Sequence, residues 1–263
     1  MINKSKFDEK GFNKVFSEAT ISRINCTANP NARKNNELIK RYTYEYYKKI
    51  LQTLAVYLNK DKSSNLLDIG ASEHIFLIKK IFPNEKIYTI DLTNKWEKEC
   101  KEKGIYFKQC DLTQQSIPFS NNQFDIILCG EVIEHLFADI NSLLKEFYLK
   151  LNKKGILVIS TPNFAQMNAR LKVLLGKNAM PMFKEESMKS GDLHVREYTL
   201  KELTSMLEKN GFDVVKEEYY QVTDKLRFSL VNKKWPYYLI RAILSKFLPQ
   251  LRSRILVIAR KID

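Results

Sequence analysis

Residues 65–74, which read Asn-Leu-Leu-Asp-Ile-Gly-Ala-Ser-Glu-His, decide the fold. They predict a short apolar strand that ends at Asp68, then a glycine turn and the start of a helix. Asp91 and Asp111 each end another apolar run, 23 and 20 residues further on. Each interval fits one helix and one strand, and parallel strands with helical crossovers align their carboxyl ends. The three carboxylates are therefore expected to line one crevice that suits a nucleoside-type cofactor.

The turn after Asp68 is poor in glycine for a dinucleotide-binding loop. A G-x-G-x-x-G fingerprint would bring the backbone close to a pyrophosphate, and here only Gly70 remains, with Ala71 after it. Asp91 fits an acid that binds a ribose about 20 residues after the turn. The combination favours a ribose-containing cofactor without a pyrophosphate, such as S-adenosylmethionine.

Residues 65–198 resemble a class I S-adenosylmethionine-dependent methyltransferase. The motifs that carry the resemblance are Leu-Leu-Asp-Ile-Gly-Ala at 66–71, Ile-Asp-Leu at 90–92, Cys-Asp-Leu at 110–112, Phe-Asp-Ile-Ile-Leu-Cys-Gly-Glu-Val-Ile-Glu-His-Leu at 124–136 and Gly-Ile-Leu-Val-Ile-Ser-Thr-Pro-Asn at 155–163. The last two are similar to the small-molecule O-methyltransferase branch, which includes quinone and glycan-pathway enzymes. The resemblance implies an enzyme whose cofactor is S-adenosylmethionine.

The same resemblance implies an α/β fold. We expect a Rossmann-like, seven-stranded, mostly parallel sheet with helices on both faces, an N-terminal helical cap and an inserted lid. Apolar runs predict strands near 65–69, 86–91, 105–109, 124–129, 155–161, 212–222 and 252–261. At 263 residues the chain is long enough for one such domain with additions. We predict an N-terminal lid and helix over residues 1–62, of which the first 33 residues order only when the cofactor is present, and a methyltransferase core over 63–263.

The predicted cofactor-binding residues lie at strand ends or directly after them: Asp68, Gly70, Ala71, Asp91, Leu92, Asp111, Leu112, Cys129 and Gly130. The resemblance places Asp68 and the glycine turn at the methionine end of the cofactor. It implies that Asp91 accepts hydrogen bonds from both ribose hydroxyls and that Asp111 accepts from the adenine amino group, with Leu112 against the ring. The backbone at Gly130 would lie beside the cofactor ammonium. For any single acid, a helix cap is the alternative.

Residues 163–197 form a connection that is longer than usual. Since they leave the fifth strand at its carboxyl end, we predict that they are the acceptor-binding lid, with a packing hairpin as the alternative. In similar methyltransferases an H-x-R-x-Y-T stretch lies near the acceptor pocket. The resemblance therefore implies that His194 is catalytic, and that Arg196 and Tyr198, together with Glu131, bind the acceptor.

His135 is the second predicted catalytic residue, because an imidazole near its operating pH can take a proton from an attacking hydroxyl. It ends the pattern Glu131-x-x-Glu134-His135, which in some quinone O-methyltransferases is associated with a divalent ion. We expect no metal here and keep Glu131, Glu134 and His135 as the alternative ligand set, since oxygen ligands suit magnesium. Without a metal, Glu131 would orient the site, Glu134 would be a surface residue and His135 would pack under the cofactor.

The composition of the chain indicates the cellular compartment in which it works. The four cysteines are scattered, which argues against a zinc site or a disulfide framework and fits a reducing environment. The first residues lack the apolar core of a signal peptide, and no uncharged run approaches the ~18 residues of a membrane span. We expect a cytoplasmic protein. Nothing in the sequence indicates its oligomeric state.

The net charge of +14 is compatible with anionic partners of several kinds. From 225 to 261 there are ten Lys or Arg residues and no Asp or Glu, which predicts either a solvated basic surface or peripheral membrane contact. The leading prediction is methylation of an oxygen on a small anionic metabolite: a sugar, sugar nucleotide, or phosphate or phosphoramidate precursor of a cell-surface polysaccharide such as a capsule. A nucleic-acid methyltransferase is the first alternative, although neither N-P-P-[YF] nor a Pro-Cys nucleophile follows Leu128. A non-catalytic cofactor-binding module is the second.

Overall fold

The computed structural model describes residues 11–13, 16, 30–58, 63–180, 193–222 and 235–262. Its centre is a seven-stranded sheet in the order β3-β2-β1-β4-β5-β7-β6. The strands are β1 Asn65–Ile69, β2 Lys86–Asp91, β3 Tyr106–Gln109, β4 Phe124–Gly130, β5 Leu151–Pro162, β6 Phe212–Tyr220 and β7 Arg254–Lys261. Only β7 runs antiparallel, to both β5 and β6. The predicted mostly parallel, Rossmann-like sheet is confirmed.

The central strands are apolar without interruption because both of their faces are buried. Leu66, Leu67 and Ile69 of β1 are inaccessible to solvent, and β4 and β5 show the same pattern. One hydrophobic core joins these strands to Leu144 and Leu203 of two flanking helices.

The helices are α1 Pro30–Tyr57, α2 His74–Ile81, α3 Glu97–Glu102, α4 Ile140–Lys150, α5 Met167–Leu174, α6 Leu200–Lys209 and α7 Trp235–Phe247, with 3₁₀ turns at Ile133–His135 and Pro249–Leu251. The helices that pack on the core begin at defined caps. The Asp139 side chain accepts from the Asn141 backbone N–H ahead of α4, and Thr199 forms a capping box with Glu202 ahead of α6. Both pairs satisfy N–H groups that the first helical turn leaves without partners.

The strand order places a crevice at the carboxyl end of β1. The chain runs outward from β1 through β2 to β3, and then returns to the other side of β1 as β4. Asp68 pairs in register with Thr89 of β2 and with Leu128 of β4. In open α/β sheets, ligands bind at such a switch point. The predicted site residues lie around it.

Contacts divide the chain into two units. One comprises residues 1–63, 73–84 and 222–243, and in it the Tyr47 ring packs against His74 at the start of α2, with ring centroids 5.7 Å apart. The other comprises residues 64–72, 85–221 and 244–263 and contains all seven strands. The predicted boundary near residue 62 stays a prediction. Among the described residues, no helix combines the length and the apolar character that crossing a membrane requires.

Candidate active site

Gly70 makes the sharp turn after β1. Its φ of +84° lies in the left-handed region, and a Cβ at this position would come within 2.8 Å of Val132 Cγ2. Its N–H donates to the Ile90 carbonyl at 2.9 Å, which ties the turn to β2. Asp68 is buried just before the turn, where it accepts a long hydrogen bond of 3.5 Å from the Thr89 hydroxyl. The positive φ and the contact with Val132 together explain why this turn requires a glycine.

Asp91 and Asp111 have matching local structures. In each, Oδ1 accepts from the backbone N–H and the hydroxyl of the threonine two residues later, Thr93 at 2.8 and 3.0 Å and Thr113 at 2.9 and 2.6 Å. The hydrogen bonds from Thr113 lower the pKa of Asp111, so this carboxylate stays ionised at neutral pH. The threonines fix the carboxylates at the strand ends, and neither Oδ2 atom accepts a hydrogen bond from a described residue. Each Oδ2 is thus available to a ligand hydroxyl or amino group.

The remaining predicted cofactor residues surround these acids. Leu92 is exposed beside Asp91, and Leu112 packs partly against the core. Cys129 is fully buried, and burial raises the pKa of its thiol, so it is a neutral packing residue. Gly130 ends β4 opposite Ser160 of β5 and is partly exposed. Two fixed acids, each with an oxygen that accepts from no described residue, and a tight glycine turn suit a cofactor that carries a ribose, an adenine and an ammonium group.

A cluster of Glu134, His135 and His194 lies just beyond β4. One ligand atom from each residue lies within 4.8 Å of the others. His135 Nε2 is 3.9 Å from Glu134 Oε1, and the two imidazole rings meet edge to face with centroids 4.9 Å apart. The structure brings together the two histidines that the sequence predicted as catalytic, although 59 residues separate them.

Both histidines are held through their δ nitrogens. His135 Nδ1 lies 2.9 Å from the Leu193 carbonyl, and His194 Nδ1 lies 2.8 Å from Glu197 Oε1. The backbone of the second segment is fixed as well, because the Val195 N–H donates to the Glu134 carbonyl at 2.7 Å. When an acceptor takes the proton of one ring nitrogen, the other nitrogen carries the lone pair. The two Nε2 atoms are therefore suited to bind a metal ion or a proton.

Glu134 is fully buried, so the expectation of a surface glutamate is wrong. Its Oε2 accepts from the Thr161 hydroxyl at 2.9 Å, whereas Oε1 has no hydrogen-bond partner among the described residues. Burial raises the pKa of Glu134 to about 7. A buried carboxylate oxygen without a donor is costly, and a proton or a cation can satisfy it. Together with the two imidazoles, Glu134 could hold a divalent ion.

Glu131 makes a different set of contacts. It has a left-handed φ of +57°, unusual for a residue with a side chain, and its N–H donates to the Ser160 carbonyl at 2.8 Å. Its Oε1 accepts from the Ser160 hydroxyl at 3.2 Å, and its Oε2 is paired with Arg254 Nε at 2.6 Å. Thus the ligand cluster contains His194 where the predicted alternative set had Glu131. Sequence reasoning missed Arg254, which is the first residue of β7 and lies opposite Pro162 in register.

The predicted acceptor residues Arg196 and Tyr198 contact each other, and neither belongs to the cluster of Glu134, His135 and His194. The Arg196 guanidinium bonds Glu202 Oε1 at 2.9 Å and lies over the Tyr198 ring, with its Cζ 5.0 Å from the centroid. Tyr198 is itself 1% exposed and belongs to the hydrophobic core. Their contact with an acceptor stays a prediction. Within the predicted acceptor lid, residues 167–174 form α5, whereas 181–192 lie outside the described residues, as do most of residues 1–33.

A family model described as a methyltransferase domain matches residues 39–217. The chain belongs to this family. The match confirms the predicted enzyme class and S-adenosylmethionine as its methyl donor. A search of curated proteins finds no match by sequence.

Solved structures show the same fold. An S-adenosylmethionine-dependent methyltransferase from Mesorhizobium loti is 16% identical, with a TM-score of 0.55 over 81% of this chain and 97% of that one. A second, from Archaeoglobus fulgidus, is 19% identical, with a TM-score of 0.56 over 82% and 94%. Phosphoethanolamine N-methyltransferase 2 of Haemonchus contortus, in complex with S-adenosyl-L-methionine, is 15% identical, with a TM-score of 0.52 over 86% of this chain and 57% of that one. At these identities the likeness concerns the fold alone.

Proposed function

We propose that this methyltransferase acts on an oxygen of a small anionic metabolite: a sugar, a sugar nucleotide, or a phosphate or phosphoramidate precursor of a cell-surface glycan. The observation that carries an oxygen acceptor is the cluster of Glu134, His135 and His194. A hydroxyl must lose or share its proton before it attacks a methyl group, and this cluster provides groups that can promote that loss.

The cofactor would be held by the residues at the strand ends. Asp91 would accept from the ribose hydroxyls and Asp111 from the adenine amino group, while the backbone at Gly70 and Gly130 would lie beside the methionine end. The cofactor supplies a methyl group that its sulfonium already activates. The main contribution of the chain is then to hold the acceptor oxygen in line and to exclude water, which can lower a barrier by about 7–11 kcal/mol.

Glu134, His135 and His194 would hold a divalent cation, which binds a hydroxyl oxygen and lowers its pKa. The second contacts of both imidazoles support this proposal, since metal-binding histidines almost always donate their other N–H to a carbonyl or a carboxylate. Leu193 provides the carbonyl and Glu197 the carboxylate. The buried Oε1 of Glu134 would gain the partner that no described residue gives it.

The anionic character of the acceptor rests on the net charge of +14. The same charge is compatible with a nucleic-acid substrate, and no observation at the site favours that alternative. Membership of the methyltransferase family favours an enzyme over a non-catalytic module.

The test is transfer of a labelled methyl group to a panel of sugars, sugar nucleotides and phosphorylated precursors, before and after chelation and after addition of Mg²⁺ or Mn²⁺. We expect an O-methylated product, loss of activity on chelation and recovery with the cation. Glu134→Gln should lower turnover by about 100-fold with little change in cofactor affinity. Glu99→Gln is the matched control, because Glu99 is an exposed glutamate that forms an ion pair with Lys103 and lies outside the cluster.

Transfer to nitrogen or carbon, or to oligonucleotides alone, would overturn the oxygen-acceptor proposal. Turnover that is unchanged by chelation and by added cation would overturn the proposal that a metal ion takes part. His194, oriented by Glu197, would then be left as a general base.

A further inference from the structure

The end of α5 exposes apolar side chains that a protein in water normally covers. Val173, Leu174 and Leu175 are 60%, 81% and 70% exposed, and Leu171 one turn earlier is 36% exposed. Single exposed leucines are ordinary, but consecutive ones at the end of a helix form a patch, and such patches mark interaction sites.

The end of α7 presents a second group of the same kind. Phe247 is 78% exposed, and Leu244 and Leu248 beside it are also exposed. The three residues are separated by three and one positions, so they lie on one side of the last helical turn and its continuation.

Both helices adjoin the carboxyl end of β5, since α5 begins five residues after Pro162 and α7 leads through a 3₁₀ turn to β7, which pairs with β5. Pro162, the last residue of β5, pairs in register with Arg254, which follows α7 and the 3₁₀ turn. Asn163 joins the two segments: its side chain donates to the carbonyls of Gln250 at 2.9 Å and Arg252 at 2.7 Å. Thus the segment that leads into α5 and the turn that follows α7 are joined at one edge of the sheet.

The charged side chains next to these apolar residues in sequence are all basic. Arg170 and Lys177 flank the exposed end of α5, and Lys246 lies between Leu244 and Phe247. There is no Asp or Glu from 163 to 180 or from 244 to 262. Apolar side chains among basic ones are the composition of segments that insert at a membrane surface, where apolar burial and attraction to anionic headgroups act together.

We propose that the end of α5 (residues 170–177) and the end of α7 (residues 244–248) form a surface that docks on an anionic lipid membrane. Docking places the carboxyl edge of the sheet, and hence the catalytic cluster, next to the headgroups. This inference concerns how the chain is located and does not depend on which atom is methylated.

The test is sedimentation of the full chain with vesicles of phosphatidylcholine alone or of phosphatidylcholine with an equal amount of phosphatidylglycerol. We expect binding to the anionic vesicles, little binding to the neutral ones, and weaker binding at high salt, which screens exposed charges. The double variant Leu174→Gln/Leu175→Gln should bind at least about 10-fold more weakly, because two apolar side chains no longer enter the lipid.

Leu149→Gln is the matched control, since Leu149 is an exposed leucine of α4, outside the proposed surface, and its replacement should leave vesicle binding unchanged. Cofactor binding and the thermal midpoint verify that each variant is folded. No binding of the wild type to anionic vesicles overturns the proposal. Equal binding of the double variant also overturns it, as does a dimer that the double variant dissociates without any binding to lipid.

Discussion

Asp91 offers the sharpest test of cofactor recognition. One of its carboxylate oxygens accepts hydrogen bonds from Thr93, whereas the other accepts none from a described residue. Its Oδ1 accepts from the Thr93 N–H at 2.8 Å and from the Thr93 hydroxyl at 3.0 Å. A ribose diol would therefore be recognised mainly through Oδ2. Replacing Asp91 with Ala removes an ionised acceptor whose hydrogen bonds each contribute about 1.5–3 kcal/mol.

Asp91 is only partly buried, so water can take the place of the lost acceptor and the low end of this range applies. Two ribose hydroxyls then give a loss of about 3 kcal/mol, which corresponds to a dissociation constant weaker by about 100-fold. Asp91→Asn keeps one acceptor oxygen and should weaken binding by about 10-fold. Both values are measured by calorimetric titration of S-adenosylmethionine and S-adenosylhomocysteine into the purified protein.

The control is Thr93→Val, which removes the hydroxyl that steadies Asp91 and leaves the carboxylate in place. It should cost about 1 kcal/mol of stability, with less than about a threefold change in cofactor affinity. If Asp91→Ala binds the cofactor as tightly as the wild type does, Asp91 does not hold the ribose. If Thr93→Val weakens binding as much as Asp91→Ala does, the turn and not the carboxylate governs affinity.

Three further perturbations have expected magnitudes. Gly70→Ala should lower the free energy of unfolding, measured in urea, by clearly more than Gly176→Ala does. Both glycines have a positive φ, which costs an L-residue about 1–2 kcal/mol. At Gly70 the new Cβ would in addition lie only 2.8 Å from Val132 Cγ2. Thr199→Ala should cost about 1 kcal/mol in the same measurement, and an unchanged midpoint would mean that the capping box contributes nothing. Mn²⁺ at about 100 times its dissociation constant should raise the thermal midpoint by about 5–11 °C in the wild type and by under about 2 °C in Glu134→Gln, whereas equal shifts would place the cation elsewhere.

The sequence was sufficient to predict the sheet and the acids at its edge. Parallel strands bring their carboxyl ends together whatever helices connect them, so the spacing of Asp68, Asp91 and Asp111 already implied three neighbouring strand ends. The bounds of β5 were harder to predict. It begins at Leu151, four residues before the predicted run, because Leu151 pairs with Phe124 across an irregularity that precedes the pairing of Ile126 with Ile156.

Features that depend on contacts distant in sequence were not predictable. The ion pair of Glu131 with Arg254 joins residues 123 positions apart, and nothing local marks Arg254 as part of the site. The cluster of His194 with Glu134 likewise depends on hydrogen bonds from the 193–196 backbone to the 3₁₀ turn. Glu134 looked like a surface residue because a glutamate is almost never fully buried unless it is paired. The structure provides one such pairing through Thr161 and leaves the other oxygen for a ligand.

The two longest motifs of the chain, residues 124–136 and 155–163, support each other because they are neighbours in the sheet. Because β4 and β5 are parallel, with Gly130 opposite Ser160, the residues that follow β4 meet the end of β5. Ser160 donates to Glu131 and Thr161 donates to Glu134, so successive residues of Ser-Thr-Pro-Asn support the two glutamates of Glu-Val-Ile-Glu. Pro162 then ends the strand, and Asn163 ties its end to the turn before β7. Ser160 and Thr161 therefore act by positioning carboxylates and need not contact a ligand. Loss of a residue that orients a metal ligand in this way typically costs about 10–100-fold in metal affinity or activity, so Thr161 should matter even though it binds no ligand itself.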